Sequence, residues 1–193
     1  VELEADLEDG TTIQGESAIS KYGGRIKEIR IIGEKQAPLP EVIHCIQQAD
    51  AIILGPGSLY TSLIPHLLFP EIRQAILKSK APKIYICNIM SEPGETSQFD
   101  TFDHVQALYQ HSLESDWFDY ILINAHNPTA LLAKYQETGS HPIFYHQERM
   151  ISFKARLILT DFLSETNYVR HDPEKLGNCL FKLLKERYFP DQI

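Results

Sequence analysis

Short stretches within the first thirty-two residues alternate between apolar and polar positions, and the pattern then changes to longer helical and buried segments. Residues 1–7 alternate apolar with acidic side chains, and Asp9-Gly10 separates them from the strand-like residues 11–13. This pattern predicts a β-hairpin, because Asp-Gly is typical of tight turns between antiparallel strands. Residues 17–24 are predicted as a loop, and residues 26–32 alternate again as a third strand.

From residue 40 onward, helical periodicity alternates with short apolar runs, which is typical of parallel βαβ units. Proline, Asn and Asp caps and a terminal glycine mark several of the helix ends. The predicted strands are 51–54, 84–87, 120–123, 142–145 and 157–159, and the predicted helices are 40–48, 70–78, 103–113, one that Asn127 caps and Gly139 ends, and one that Asp172-Pro173 opens. The fold class is therefore α/β: a Rossmann-like, mostly parallel sheet with helices on both faces, preceded by an N-terminal β-hairpin.

Composition and charge limit the function classes. The 193 residues are 43% apolar, and we expect one α/β domain over residues 1–193. The net charge is −8 and no block of Lys or Arg occurs, which argues against a nucleic-acid partner. No apolar run is long enough for a membrane span and no secretory leader is visible, so we expect a cytoplasmic protein. The three cysteines lie far apart and are expected to be free thiols.

The strongest indication of a ligand is the segment that follows the strand at residues 51–54. Gly55 and Gly57 allow the backbone to turn sharply and approach a ligand closely. The hydroxyl groups that follow add donors to the free N–H groups of a predicted helical turn, a combination that suits an anion. The candidate ligand-binding residues of this segment are Gly55, Gly57, Ser58, Tyr60, Thr61 and Ser62. An ordinary tight turn between a strand and a helix remains the alternative.

Two later strands are also followed by polar loops. Asn88 comes directly after the strand at 84–87, and Asn124 after the strand at 120–123. Because loops at the carboxyl ends of parallel strands gather at one edge of a sheet, we expect these side chains to contribute to the same pocket. Their alternative role is to cap or hold neighbouring loops. Two residues on later elements are further candidates. Tyr135 could stack on a base or sugar, and its alternative role is half-buried packing. Arg170 could pair with a phosphate, and its alternative role is a surface ion pair.

Catalytic and metal-binding residues are harder to find. Glu92, Glu95, Asp100 and Asp103 lie close together and suit a magnesium ion, although helix capping and solvation explain them as well. His104, His126 and His171 lie in or near the loops, but no H-x-x-H spacing indicates zinc. No G-x-S-x-G elbow indicates a hydrolase. We therefore assign no catalytic residue and no metal ligand.

Several motifs resemble those of one family. In order along the chain, residues 55–65 read GPGSLYTSLIP, residues 87–96 read CNIMSEPGET and residues 103–105 read DHV. Residues 7–11 (LEDGT) and 169–172 (VRHD) add to the match. Together they resemble the gluconeogenesis-factor family, the bacterial branch of the CofD-like proteins, whose other branch is 2-phospho-L-lactate transferase. The resemblance spans essentially the whole chain.

The resemblance implies a Rossmann-like fold and binding of a nucleotide sugar of the UDP-N-acetylglucosamine type. It also implies a regulatory role in cell shape and adaptation to gluconeogenic carbon sources, with no firmly attached reaction. The pocket would include Gly55, Gly57, Ser58, Tyr60, Thr61, Asn88 and Asn124. Tyr135 would contact the uridine and Arg170 the phosphate.

Family members begin with a strand and a glycine-rich loop, and no such segment precedes the hairpin here. We therefore expect a domain truncated at its N-terminus that completes its site with a partner fragment or as a homo-oligomer. A magnesium-dependent transferase of the phospholactate type, using a nucleotide-activated donor, is the alternative function. A third possibility is a remnant that acts only as an interaction subunit and binds no ligand.

Overall fold

A computed structural model of the chain describes residues 1–34 and 37–190. The chain begins with a three-stranded antiparallel sheet in the order β2-β1-β3. Its strands are β1 (Glu2–Leu7), β2 (Thr12–Gln14) and β3 (Ile26–Ile32). The predicted hairpin and third strand are confirmed, and the buried positions Leu3, Ala5 and Leu7 of β1 alternate as expected for a sheet with one covered face.

The prediction of a loop at residues 17–24 is wrong. A helix, α1 (Glu16–Tyr22), lies there and ends at Gly23, whose φ of 80° is the left-handed conformation typical of a helix terminus. Ile19 is its one buried residue. A single apolar contact in a seven-residue helix produces no periodic pattern, so hydrophobic spacing does not reveal this helix.

The second sheet has four parallel strands in the order β4-β5-β6-β7. The strands are β4 (Ile52–Leu54), β5 (Lys83–Ile86), β6 (Tyr120–Asn124) and β7 (Arg156–Thr160). Before and between them lie α2 (Pro40–Gln48), α3 (Ile64–Leu67), α4 (Pro70–Lys78), α5 (Thr101–Ser112), α6 (Leu132–Gln136) and α7 (Gln147–Met150). The bounds predicted for α2 and α4 are confirmed, since a proline at the first turn marks each start.

A short antiparallel pair and a long helix complete the described chain. The pair is β8 (Leu163–Glu165) with β9 (Val169–His171), and the helix is α8 (Pro173–Tyr188). As predicted, α8 begins after Asp172, whose carboxylate accepts from the N–H groups of Glu174 and Lys175. No helix within residues 1–34 and 37–190 combines the length and the hydrophobicity needed to cross a bilayer.

The parallel sheet is covered differently on its two faces. On one face, Tyr85 and Ile121 join a core that includes the antiparallel sheet and α5. On the other face, Ile84, Ile86 and Leu122 pack against Leu183 of α8. Helices therefore lie on both faces, and the predicted α/β class with a mainly parallel sheet is confirmed.

Two predicted elements are wrong in detail. The helix after β6 begins at Leu132 and not at Asn127, because the Glu165 carboxylate accepts the N–H groups of Thr129 and Leu131 and holds that turn outside the helix. Residues 142–145 form no strand and make only a single bridge, between Met90 and Pro142.

His111 ties α5 to the antiparallel sheet. Its Nδ1 lies 2.8 Å from the Ala107 carbonyl, to which only an N–H can donate, and its Nε2 accepts the backbone N–H of Ile29 at 3.2 Å. Burial lowers the pKa of His111, and also that of the fully buried His104. The folded protein therefore requires both rings to be neutral.

Stability is expected to decrease in acid. The unfolded chain takes up protons at the ordinary histidine pKa, about 6.5, while the folded His104 and His111 resist protonation. Stability is thus complete above this pH and declines as the pH falls below it, by about 1.4 kcal/mol for each unit by which a folded-state pKa is lowered. Urea unfolding over a pH series measures this decline, and His111→Gln should make it shallower.

His44→Gln, at an exposed position of α2, is the control for the loss of a histidine. A free energy of unfolding that stays constant as the pH is lowered through the histidine range would contradict the requirement for neutral rings.

Candidate functional site

A cleft of about 650 Å³ opens beyond the carboxyl ends of β4 and β5. The cleft is lined by the loops that follow these two strands, by α6 with the segment after it, and by β9. Ligands of open parallel sheets bind in this position, outside the carboxyl ends of the strands. The cleft is therefore the candidate ligand site.

The loop after β4 is shaped by Gly55 and joined to the loop after β5. Gly55 has a φ of 86°, and a Cβ there would lie 2.7 Å from the Ile86 carbonyl oxygen, so only glycine fits. Asn88 accepts the Gly57 N–H at 3.3 Å and donates through Nδ2 to the Gly57 carbonyl at 3.0 Å. This reciprocal pair fixes the two loops against each other at the cleft.

The buried carboxylate of Glu95 holds the turn that follows this loop. Leu59–Leu63 forms a π-helical turn, and its N–H groups at Tyr60 and Thr61 donate to Glu95 Oε2 at 3.1 and 3.3 Å. Glu95 Oε1 accepts the hydroxyls of Thr61 at 2.6 Å and Ser20 at 3.0 Å. The anion at this turn is thus supplied by the protein itself.

The predicted site residues fall into two groups. The cleft is lined by Gly57, Asn88, Tyr135 and Arg170. Gly55 and Ser58 belong to the same loop without lining the cleft, and Ser62 is exposed outside it. Tyr60 is 3% exposed and donates its hydroxyl to the Ile26 carbonyl, so it and Thr61 hold the turn in place.

Asn124 joins two segments away from the cleft lining. Its Nδ2 donates to the His126 carbonyl, and its Oδ1 accepts the Phe162 N–H at 3.0 Å. Both ends of the amide are therefore engaged by the backbone. The side chain holds the end of β6 against the turn after β7.

Tyr135 and Arg170 line the same cleft as Gly57. The Tyr135 hydroxyl accepts the Val169 N–H at 3.0 Å, which leaves its own proton free for another acceptor. The Arg170 guanidinium lies over the Tyr168 ring, 4.5 Å from its centroid. Arg170 is exposed and forms no salt bridge with any residue of 1–34 or 37–190. Its charge is therefore available to an anion in the cleft.

His171 and Glu92 also line the cleft. The sequence marks Glu92 only as one of four acidic residues that suit a magnesium ion, and it gives His171 no ligand role. His171 Nε2 lies 3.1 Å from the Cys87 carbonyl, so in the neutral ring Nε2 carries the proton and Nδ1 is an acceptor. Burial lowers the pKa of His171 and raises that of the Glu92 carboxyl. The sequence signals for His171 are its place directly after Arg170 in the VRHD motif of residues 169–172 and its position near the predicted loops.

Of the four acidic residues considered for magnesium, Glu95, Asp100 and Asp103 already accept hydrogen bonds from other residues of the protein. Asp100 and Asp103 form a capping box at the start of α5, and both accept from Arg149. No three His, Cys, Asp or Glu residues in the described ranges form a metal-ligand cluster. Within the described part of the chain, Glu92 is the one carboxylate on the cleft lining, so it could offer magnesium one oxygen group beside those of a phosphorylated ligand.

The fold and the cleft define an α/β protein with a ligand-binding cleft at the carboxyl ends of its parallel strands. A family model described as 2-phospho-L-lactate transferase CofD matches residues 1–163. The chain therefore belongs to the CofD family, and its curated relatives are named gluconeogenesis factors.

The gluconeogenesis factor of Bacillus subtilis is 42% identical over 188 residues, which cover 96% of this chain and 59% of the relative. That of Listeria monocytogenes is 37% identical over 183 residues, which cover 94% of this chain and 56% of the relative. A crystal structure from Bacillus halodurans, of a member of the UPF0052 family, has a TM-score of 0.87 and 35% identity over 93% of this chain and 58% of that one. The chain spans 41 to 59% of the length of the curated relatives it matches.

Replacing Glu95 should destabilise the protein. Glu95→Gln is expected to lower the free energy of unfolding by about 1–3 kcal/mol, because the amide weakens bonds to charged carboxylate oxygens. Glu95→Ala should lower it further, since the N–H groups of Tyr60 and Thr61 then lose their partner. Urea unfolding compares these variants with Glu137→Gln, an exposed control. Equal stability of the two Glu95 variants and the control would contradict the proposed role.

Proposed function

We propose that this chain belongs to a cytoplasmic regulatory protein that binds a nucleotide sugar of the UDP-N-acetylglucosamine type and links carbon-source adaptation to cell shape. The observation that carries the proposal is that one cleft is lined both by Arg170, whose guanidinium forms no salt bridge with the described residues, and by Gly57 and Asn88, which join the loops after β4 and β5. A cation and a close-approaching glycine backbone suit a diphosphate. The names of the curated relatives, which call them factors, support a regulatory role.

The charge of the cleft lining suggests where the diphosphate and the uridine of the proposed ligand would lie. The lowered pKa of His171 leaves its ring neutral near pH 7, and among residues 1–34 and 37–190 Arg170 is the only Lys or Arg on the cleft lining. In this proposal the diphosphate lies beside Arg170. Tyr135, which offers an apolar ring and a free hydroxyl proton, is suited to the uridine.

The polar wall after β5 is suited to the sugar. Asn88, Ser91 and Glu92 lie along this wall, and hydroxyl-rich sugars need both donors and acceptors. The raised pKa of Glu92 increases the share of its protonated, donating form. These contacts would distinguish a sugar-bearing nucleotide from the nucleotide alone.

Arg170→Ala is expected to weaken binding of UDP-N-acetylglucosamine at least tenfold, because a charge-assisted hydrogen bond contributes about 1.5–3 kcal/mol. Isothermal titration calorimetry measures the affinity. Arg156→Ala is the matched control, since Arg156 is exposed and pairs with Glu186 of α8, away from the cleft. Equal affinities of Arg170→Ala and Arg156→Ala would contradict the proposal, as would a wild-type chain that gives no heat of binding at millimolar ligand.

Gly57→Val tests the other wall. A Cβ at Gly57 would have Leu63 Cδ2 as its nearest neighbour, at 3.4 Å, so the fold tolerates the added side chain. The valine nevertheless adds bulk to the loop that lines the cleft. The affinity for UDP-N-acetylglucosamine should be lost while the thermal midpoint changes little. Unaltered affinity would place the ligand elsewhere.

A magnesium-dependent transferase is the second candidate function. The description of the matching family as a transferase and the presence of the Glu92 carboxyl on the cleft favour it. Product formation from a nucleotide-activated phospholactate donor and an alcohol acceptor, with magnesium, should then fall about a hundredfold or more in Glu92→Gln, as expected for a general acid or base. Glu41→Gln on α2 is the control. Turnover that is equal in both variants would exclude this role of Glu92.

A further inference from the structure

His171 lies where β9 meets the carboxyl end of β5. It is the last residue of β9, and its Nε2 lies 3.1 Å from the carbonyl oxygen of Cys87, the residue that follows β5. The next residue is Asn88, whose amide joins the two loops on the cleft lining. His171 is itself on that lining. Its ring therefore lies beside the segment at which both loops of the cleft are fixed.

The Cys87 carbonyl determines which ring nitrogen of His171 carries the proton. A carbonyl oxygen only accepts, so Nε2 must donate to it, and Nδ1 of the neutral ring then keeps its lone pair. Burial lowers the pKa of His171, which favours the neutral ring. The main chain thus holds the ring in one tautomer, with Nδ1 as an uncharged hydrogen-bond acceptor.

Nδ1 of His171 has no hydrogen-bond partner within residues 1–34 and 37–190, and it is not enclosed by protein. In this part of the chain, the buried side-chain atoms that lack a partner are His104 Nε2 and the Tyr109 hydroxyl, so His171 Nδ1 is open to solvent. Because His171 lines the cleft and its Nε2 faces Cys87, Nδ1 is the polar atom that the ring offers to a ligand.

Other polar side chains on the lining differ from Nδ1 in what they can bind. The Arg170 guanidinium only donates, and the Tyr135 hydroxyl, which already accepts the Val169 N–H, has a proton to donate. The Glu92 carboxyl accepts as a charged group, and burial raises its pKa. Nδ1 is instead an acceptor without charge. A ligand hydroxyl can donate to it, whereas an ionised phosphate oxygen, which only accepts, cannot.

We propose that His171 Nδ1 accepts a hydrogen bond from a sugar hydroxyl of a nucleoside diphosphate sugar, and that this contact makes the cleft select such a ligand over the free nucleoside diphosphate. The inference rests on the function proposed above, which has the diphosphate beside Arg170, the neighbour of His171 in β9. The group beyond the diphosphate would then lie near His171 and the loop after β5. In a nucleotide sugar this group carries hydroxyls, whereas the free diphosphate ends in an ionised phosphate.

The selection comes from the pairing of donors with acceptors and not from charge. A sugar hydroxyl places a proton between its oxygen and Nδ1, whereas the terminal oxygen of a free diphosphate would meet Nδ1 as a second acceptor. Arg170 attracts the diphosphate of both ligands, so it does not separate them. A hydrogen bond between uncharged groups changes an affinity by about three- to tenfold, and this factor is what His171 should contribute to the selection.

The test is calorimetric titration of the chain with UDP-N-acetylglucosamine and with UDP at about pH 8, where the histidine ring is neutral. The measured quantity is the ratio of the Kd for UDP to the Kd for UDP-N-acetylglucosamine. His171→Gln should lower this ratio about three- to tenfold, because only the sugar nucleotide loses a hydrogen bond. The glutamine amide can still donate to the Cys87 carbonyl, so the thermal midpoint should change little.

Two further variants complete the comparison. His171→Asn has a shorter amide that lies nearer the position of Nδ1 and does not reach the Cys87 carbonyl, so the thermal midpoint should fall while the ratio falls less than in His171→Gln. His126→Gln is the matched control. The His126 side chain is 67% exposed, follows β6 at the same end of the sheet and is not on the cleft lining, so both Kd values and the thermal midpoint should stay unchanged.

Four outcomes would overturn the inference. A wild-type chain that binds neither compound would remove the proposed function together with it. Binding of both compounds with the same ratio in the wild type, His171→Gln and His126→Gln would leave the nucleotide site in place and refute the role of Nδ1. Equal weakening of both compounds by His171→Gln would assign His171 to the uridine or the diphosphate. A ratio that His171→Gln keeps and His171→Asn loses would assign the selection to the bond with Cys87.

Discussion

The buried carboxylate of Glu95 connects three parts of the molecule that are distant in sequence. It accepts hydrogen bonds from Ser20 in α1 and from Tyr60 and Thr61 in the turn after β4, while belonging itself to the loop after β5. The preceding Gly94 makes this approach possible, because a Cβ there would lie 1.9 Å from the Ser20 carbonyl oxygen. Helix α1, the turn after β4 and the loop after β5 are therefore held together at one buried carboxylate.

This arrangement limits where a phosphate can bind. Two N–H groups of the turn after β4 already have a carboxylate as their partner, so a second anion at the same place would meet the charge of Glu95. The positive charge on the described cleft lining comes instead from Arg170, which lies over the Tyr168 ring. The glycine loop contributes shape and close approach, and the later elements contribute the charge.

The sequence predicts elements well where one residue type marks an end or an apolar face is periodic. Helices α2 and α4 have both features, and their bounds are recovered. The start of α6 is missed because Glu165, thirty-four residues beyond Leu131, decides it. Tertiary partners of this kind leave no local pattern in the sequence. For the same reason the sequence predicts Thr61 to be a ligand donor, although the structure shows that its hydroxyl donates to Glu95. Tyr135, Arg170 and His171 line the cleft. The contacts with uridine and phosphate that the family resemblance implies for Tyr135 and Arg170 stay predictions.

The helices that cover the parallel sheet differ between its two faces. Among the described residues, helices α3, α4, α5 and α7 contribute to the core on one face, and α8 packs on the other. The cleft lies beyond the carboxyl ends of β4 and β5, where ligands of open parallel sheets bind. Its lining combines the loops of these two strands with α6 and β9, which follow later in the chain. A ligand in the cleft would therefore contact segments that the fold brings together only after β6 and β7 have joined the sheet.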